Sequence, residues 1–468
     1  MPPPAGGHTP GRALVSPLLP AFAAGALAAA FAEPAATPLE SGLLVLVVFA
    51  GAAALVRRDW RHLSLLPFTA RLLSAVPVLI AAAVCAVLTA TVHLPDLNAV
   101  HLLAVTGLAL VLAVGLPPRT SSTVIRAAVL GSPASAEMLS RELAVAGISR
   151  YQIVGVITPD GQAVDAPDTM PVLGLVSELG SVVGRNGIGL LLMTTEAPRI
   201  AVFDELANCL HLPVRLWELA GFYEDVFGHV PVAEIDASWF QYMMHPRYHV
   251  GGGEAKRALD LVVSGLVTVL TAPLLLLLIF LVRRDGGPAL FRQVRIGESG
   301  RPFTMLKLRT MRELQEGDTP QWASRDDPRI TRFGGLLRRT HLDELPQVIN
   351  VLRGDMSLVG PRPEQPEFVS RLEGTIPFYT RRHLVKPGVT GWAQVRCGYA
   401  GSDTGSAWKL CHDLYYLKHR SFALDLAIIV ETFRTLVADR PYDVEPAGVA
   451  FILRPAVTAD SEPGGATI

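Results

Sequence analysis

Four apolar stretches, residues 14–31, 42–56, 72–92 and 100–116, fill most of the first third of the chain. Each approaches the roughly 20 residues an α-helix needs to cross a bilayer core. A cleaved leader accounts for only the first, because Ala- and Leu-rich runs recur three more times. The pattern predicts a four-span helical membrane bundle over residues 1–118. Its orientation follows from the loops. Arg12 precedes the first stretch, Glu33 and Glu40 follow it, and Arg57, Arg58, Arg61 and Arg71 lie between the second and third. His93, Asp96 and His101 separate the third from the fourth, after which come Arg119 and Arg126. Basic loops stay on the cytoplasmic side, so both ends of the bundle are expected there. Composition agrees: half of the 468 residues are hydrophobic and only 18% are charged, which excludes a disordered chain. A net charge of −1 argues against nucleic acid as a main partner, since neutralising phosphates needs a surplus of Lys and Arg. Four cysteines with no C-x-x-C pair give neither a disulfide framework nor a structural zinc site.

From Arg126 the pattern changes to short apolar runs, residues 127–130, 152–157, 189–193 and 214–217, alternating with helical periodicity. This reads as a parallel α/β module over residues 119–229. Its first strand runs into Gly131-Ser-Pro-Ala-Ser-Ala136, where a dinucleotide-binding fold carries G-x-G-x-x-G. Pro133 stands at the second glycine, which removes a close backbone approach and one amide donor. Asp160 follows the second strand and suits either a ribose or the turn Pro159-Asp160-Gly161. The expectation is a degenerate Rossmann-like cytoplasmic module with a structural or regulatory role. In the linker over residues 230–255, Trp239, Phe240, Tyr242, Met243 and Met244 precede three glycines. Such a cluster suits a lipid interface and packing against a neighbouring domain about equally.

Residues 259–282 are again long enough to span, yet Lys256 and Arg257 stand before them and Arg283 and Arg284 after. Both ends prefer the cytoplasmic side. Pro273 falls in the middle, where it deletes a helix hydrogen bond at about 3 kcal/mol. A re-entrant membrane helix over residues 256–284, entering and leaving one leaflet, satisfies both facts. A proline-kinked fifth span is the alternative. In the re-entrant arrangement Lys256 and Arg257 stand at the mouth of the helix, where basic residues gain about 1 kcal/mol each near an anionic leaflet.

All five lysines lie at or after Lys256. Phe291-Arg-Gln293-Val-Arg295 leads to Lys307 and Arg309, and Arg332, Arg338, Arg339 and His341 lead to Asp343 and Glu344. Basic side chains on short strands and glycine turns suit a polyanionic ligand held against backbone amides. Four motifs then follow in order: Leu342-Asp-Glu-Leu-Pro-Gln347, Asn350-Val-Leu-Arg-Gly-Asp-Met-Ser357, Val359-Gly-Pro-Arg-Pro363 and Pro387-Gly-Val-Thr-Gly-Trp-Ala-Gln394. Together with Lys256-Arg257-x-x-Asp260 and Pro273, this closely resembles the bacterial polyprenyl-phosphate sugar-1-phosphate transferases, the membrane phosphoglycosyl transferases that initiate exopolysaccharide and O-antigen-type glycans. The layout is similar to the large branch of that family. It implies an α/β catalytic domain over residues 285–440, anchored by the re-entrant helix; the tail over residues 441–468, rich in Pro, Ala and acidic residues, is expected to be flexible.

The resemblance implies transfer of a sugar 1-phosphate, expected to be a hexose 1-phosphate, from a UDP-sugar to undecaprenyl phosphate with release of UMP. The setting would be the bacterial inner membrane, with the N-terminus and the catalytic domain facing the cytoplasm. It assigns Asp343 as nucleophile, through a phosphoglycosyl-aspartate, and Glu344 as its catalytic partner and ligand to Mg²⁺ or a similar cation. Lys307, Arg309, Arg338, Arg362 and Gln394 are the candidate substrate-binding residues, and Lys256, Arg257, Asp260 and Pro273 the membrane and acceptor set. A carboxylate is a weak nucleophile, so it needs a neutralised phosphoryl target, which a hard cation and a basic ring supply. Placing the pair in a first helical turn also aims amide dipoles at the diphosphate. Trp392 is a candidate for stacking on a base or anchoring at the interface, and Asp413, Tyr416 and Asp425 for orienting helices. The family's usual Val-Asn-Gly-Arg after Trp-Ala-Gln is replaced by Val395-Arg-Cys-Gly-Tyr399, which leaves the donor sugar open. Small-residue faces on the four spans, with the middle module, offer surface for a homodimer. Two other readings are a non-catalytic, nucleotide-sensing scaffold of polysaccharide assembly and a glycosyltransferase to lipid phosphate that releases UDP.

Overall fold

Short apolar runs that alternate with helices build the first layer. They are β1 (Ile125–Leu130), α1 (Pro133–Val145), β2 (Tyr151–Thr158), β3 (Val172–Leu175), α2 (Leu179–Asn186), β4 (Leu190–Met193), α3 (Arg199–Asn208), β5 (Arg215–Glu218) and α4 (Leu219–Phe227). The structure is a computed structural model that describes residues 124–160, 170–209, 211–236, 239–240, 253–284, 287–311, 327, 329–397 and 402–438. The four expected spans, Tyr242, Met243, Met244 and the expected tail lie outside the described residues.

The strands form one parallel sheet in the order β3-β2-β1-β4-β5. Residues of β1 alternate between two cores: Ala127 and Val129 pack with Leu139 and Phe222, Ala128 and Leu130 with Leu179 and Val202. A sheet covered on both faces reads as an unbroken apolar run, which is why β4 and the buried stretches of β1 and β2 are visible in the sequence. The edge strand β3 is short and partly exposed, and its Val172-Leu-Gly-Leu175 does not announce itself. At the end of β1 the chain turns at Gly131, with φ +133°, where a Cβ would collide with the Thr194 side chain. Ser132 then caps α1, its side chain accepting from the Ala134 amide at 3.2 Å, with Pro133 at the first helical position.

The 31-residue helix α5 (Gly253–Arg283) follows, with Pro273 inside it. It is the one helix among the described residues long and apolar enough to cross a membrane. Next come the antiparallel hairpin β6 (Leu290–Ile296) and β7 (Pro302–Leu308), α6 (Arg332–Arg339), a 3₁₀ turn at Leu342–Glu344 and α7 (Gln347–Arg353). The domain is completed by β8 (Ser357–Val359), α8 (Pro366–Glu373), β9 (Gly388–Thr390), α9 (Trp392–Cys397), α10 (Asp403–His419) and α11 (Phe422–Ala438). β8 and β9 pair in parallel, and Gly360 and Gly388 let their backbones touch, since a Cβ on either would strike the other strand's main chain. That close approach explains the glycines of two of the four motifs.

Both ends of α5 are held by this domain. Lys256 donates to Asp425 Oδ2 at 2.7 Å, the Tyr416 hydroxyl at 3.1 Å and the Val359 carbonyl at 3.0 Å. Arg257 donates to the Val351 and Leu352 carbonyls at 2.7 and 2.9 Å, satisfying the C-terminal end of α7. Asp260 accepts from the Ser357 hydroxyl and the Leu358 amide. At the other end Leu278 and Val282 are buried with Ala289, Leu308 and Leu337. Between them Val262, Leu266, Val269, Leu270, Leu276 and Leu277 are exposed. Lys256, Arg257 and Asp260, expected as part of the membrane and acceptor set, thus bond groups of the chain itself. Unfilled carbonyls and a buried carboxylate of the same chain draw these charges inward.

The module and the domain that follows α5 meet along α4 and the turn after it. Trp392 donates through Nε1 to the Gly228 carbonyl at 2.7 Å, and Arg396 to the Phe227 carbonyl at 2.8 Å. Glu224 bonds Lys418 and His419, whose pull outweighs burial and lowers its pKa. Trp239 lies under Lys418, and Phe240 packs on Phe378 with Arg381 above it. For these two linker aromatics the neighbouring domain is the contact.

Candidate active site

The 3₁₀ turn Leu342–Glu344 carries both candidate carboxylates. It follows His341, which sits in the left-handed region at φ +55°, and precedes α7, so the pair occupies a tight turn ahead of the helix instead of its first turn. Asp343 is 7% exposed. Asn350 fixes the register of this element against β7: its Oδ1 accepts from the Leu306 amide at 3.0 Å and its Nδ2 donates to the Thr304 carbonyl at 2.8 Å. The next residue of β7, Lys307, is thereby set opposite Glu344.

Glu344 is clamped by two cations. Lys307 Nζ meets its Oε1 at 2.9 Å and Arg362 Nη2 meets the same oxygen at 2.8 Å. Arg362 is held on Pro361-Arg-Pro363 by a buried neighbour, Arg382, which is 4% exposed. Arg382 Nη2 donates to the Arg362 carbonyl at 3.0 Å, Nε to Asp413 Oδ2 at 3.0 Å and Nη1 to the Tyr379 hydroxyl at 2.8 Å. Arg295 braces the same segment through the Pro363 carbonyl at 3.3 Å, and burial pushes its pKa down to about 10.

The two adjacent carboxyls are pushed apart electrostatically. Burial raises Asp343, with Glu344 adding to the rise and Lys307 and Arg338 opposing it. Burial alone would raise Glu344 too, but Arg362 and Lys307 hold it well below the usual carboxylate range. Burial lowers Lys307 against the pull of Glu344, and Glu344 raises Arg362. The result is one carboxylate held in its charged form by two cations beside another that is more basic and lacks so close a cation, a division suited to a nucleophile and its partner.

The other expected site residues are placed as follows. Arg338 donates to Thr310 Oγ1 at 3.1 Å and reaches Met311, close enough for its charge to act on Asp343. Arg309 donates to the Val282 carbonyl at the end of α5, and Gln394 Nε2 donates to the Val389 carbonyl. Trp392 is buried, stacked on Tyr415 at 5.1 Å, and so is part of the domain seam and not a platform for a base. Asp413 supports Arg382, and Tyr416 and Asp425 receive Lys256. Arg382 escapes sequence reasoning because two of its three partners lie 20 and 31 residues away; its one signal is a basic side chain just before the last motif.

Among the described residues no group of three His, Cys, Asp or Glu side chains gathers as a metal site. Magnesium commonly takes one or two carboxylates and completes its shell with substrate phosphates and water. Glu344 fits that demand, since both cation bonds on it fall on Oε1.

A parallel α/β module is joined to a small domain that carries a clamped Asp-Glu pair and a long apolar helix. The bacterial sugar transferase family profile matches residues 252–439. A UDP-glucose:undecaprenyl-phosphate glucose-1-phosphate transferase of Caulobacter vibrioides is 45% identical over 185 residues, 39% of this chain and 69% of the relative. The chain belongs to the bacterial sugar transferase family. A UDP-N-acetylgalactosamine-undecaprenyl-phosphate N-acetylgalactosaminephosphotransferase of Aeromonas hydrophila is 37% identical over 234 residues, 50% of this chain. An undecaprenyl-phosphate glucose phosphotransferase of Komagataeibacter xylinus is 32% identical over 343 residues, 69% of this chain and 61% of the relative. The match spans about half, 54%, of the Aeromonas protein.

Proposed function

We propose that this protein transfers a sugar 1-phosphate from a UDP-sugar to undecaprenyl phosphate, releasing UMP. The observation that carries the reading is the divided carboxylate pair, Glu344 fixed by Lys307 and Arg362 beside a more basic Asp343. An Asp343 oxygen attacks the phosphorus next to the sugar, the bond to the UMP oxygen breaks, and UMP leaves with the electron pair. The acceptor's phosphate oxygen then attacks the same phosphorus and the bond to Asp343 breaks, restoring the carboxylate. Lys307, Arg338 and Arg362 surround the diphosphate with positive charge and stabilise the charge that develops on its oxygens. A Mg²⁺ ion held by Glu344 would further neutralise the phosphates. A carboxylate that carries the group in between lets a water-soluble donor and a lipid acceptor use one polar site in turn.

The same reading places the domain beneath the inner leaflet on a re-entrant α5. Supporting it, both ends of the helix bind one small domain, the middle presents apolar side chains outward, and Pro273 lies between. A straight helix of this length would run about 46 Å, far for contacts shared between α7 and its neighbour β7. The acceptor's phosphate lies at headgroup level while its tail stays in hydrocarbon, so the site belongs at that depth.

The test is purified full-length protein with undecaprenyl phosphate and a panel of UDP-sugars, reading the released nucleotide. UMP, lost in Asp343→Asn and on chelation of divalent cations, is expected. UDP would instead indicate a glycosyltransferase, and no nucleotide with any sugar a scaffold.

A further inference from the structure

In sheets with this strand order the ligand crevice lies outside the carboxyl ends of the strands where the order reverses, here between β1 and β4. A phosphate bound there sits against the first turn of the helix that follows β1. In this chain a side chain of the chain itself reaches that first turn. Glu234, on the 3₁₀ turn Val232–Glu234, is 3% exposed and directs its carboxylate into the crevice. Oε1 accepts from the Ser135 hydroxyl in the first turn of α1 at 3.2 Å. Oε2 accepts from the Thr195 amide at 2.9 Å and the Thr195 hydroxyl at 3.2 Å, just beyond β4. One carboxylate thus bridges the two sides of the crevice, using donors that would donate to phosphate oxygens equally well.

The segment that carries Glu234 is also bonded to the catalytic domain. The Val230 amide donates to the Cys411 carbonyl in α10 at 2.9 Å. The Val232 amide meets the Cys411 thiol, whose pKa burial pushes up to about 12. Two residues further along α10 from Cys411 is Asp413, the support of Arg382.

We propose that Glu234 is an internal plug that latches the two domains together: its carboxylate occupies the anion position of the Rossmann-like crevice and thereby pins residues 228–236 against α10. The crevice serves docking in place of nucleotide binding. The missing second glycine at Pro133 agrees, because a crevice filled by a carboxylate keeps no need for a pyrophosphate cradle.

Hydrogen exchange read by mass spectrometry on the full-length protein in detergent tests this. In Glu234→Ala, exchange at residues 131–136 and 194–196 should quicken by about tenfold, the scale of a lost charged hydrogen bond, together with residues 408–413. Thr195→Val, which keeps Glu234 and removes one donor, should give a smaller change in the same three segments and stands in if the alanine variant does not fold. Millimolar UDP or NAD should leave residues 131–136 of the unaltered protein unchanged. Loosening confined to the crevice, no loosening in either variant, or protection of residues 131–136 by a nucleotide with Glu234 in place would each overturn the proposal.

Discussion

Asp343 and Glu344 are adjacent carboxylates in opposite electrostatic states, and the difference comes from which basic side chains can reach each. Lys307 and Arg362 converge on Glu344, while Asp343 is mainly desolvated. In the proposed mechanism Asp343 must be ionised to attack, and burial raises its pKa, so the acid limb of kcat/KM should lie above the ordinary aspartate range. Lys307 opposes that rise, so Lys307→Met should move the limb to higher pH as well as slow turnover; a limb that stays in place would detach the limb from Asp343. Arg382 acts one step back, through the Arg362 carbonyl. Arg382→Lys keeps a charge beside Asp413 but cannot hold three partners in one plane. It should lower kcat about tenfold, or ~1.4 kcal/mol, with a smaller change in KM, whereas equal loss in both would indicate a general disturbance of the fold. The motifs name Asp343, Glu344 and Arg362 in the sequence, yet nothing in them tells which carboxylate is clamped, because Lys307 comes from a strand 37 residues away.

At the scale of elements, α5 shows what a linear pattern can and cannot carry. Its length, apolarity and central proline are plain in the sequence, and so are Lys256, Arg257 and Asp260 as a group. The direction in which those side chains point is not, since flanking charge looks alike whether it faces lipid or the chain's own carbonyls. In the structure Lys256 joins Asp425 and Tyr416, so the start of α5 is tied to α10 and α11. Lys256→Met leaves the buried Asp425 without its cation and should destabilise the domain by about 3 kcal/mol, read as a lower midpoint in denaturant. Lys256→Met with Asp425→Asn should recover part of the loss. A double variant no better than the single one would contradict the pairing. Strand β3 and the domain-seam role of Trp392 were hidden for a related reason: a four-residue edge strand has too few residues to show a period, and Trp392 owes its burial to Gly228, 164 residues earlier.

Across the molecule, the chain joins a parallel α/β module to a catalytic domain through a seam of capped carbonyls and buried ion pairs, and sets that domain on an apolar helix. The parallel sheet was legible because strands buried on both faces are apolar throughout. The seam was not, because it is built from single residues scattered over α4, α9 and α10. The re-entrant reading predicts that a cysteine replacing the exposed Arg284, in a background without native cysteines, resists an impermeant thiol reagent in intact cells and reacts once the membrane is opened. Ready labelling in intact cells would establish a complete crossing. The central claim is that Asp343 carries the sugar phosphate between donor and acceptor. Its most direct test is peptide mass spectrometry of the protein trapped with UDP-sugar in the absence of acceptor. The account predicts a phosphosugar adduct on Asp343, formed with UMP and discharged by undecaprenyl phosphate. An unmodified Asp343 in protein that still forms lipid product would contradict it.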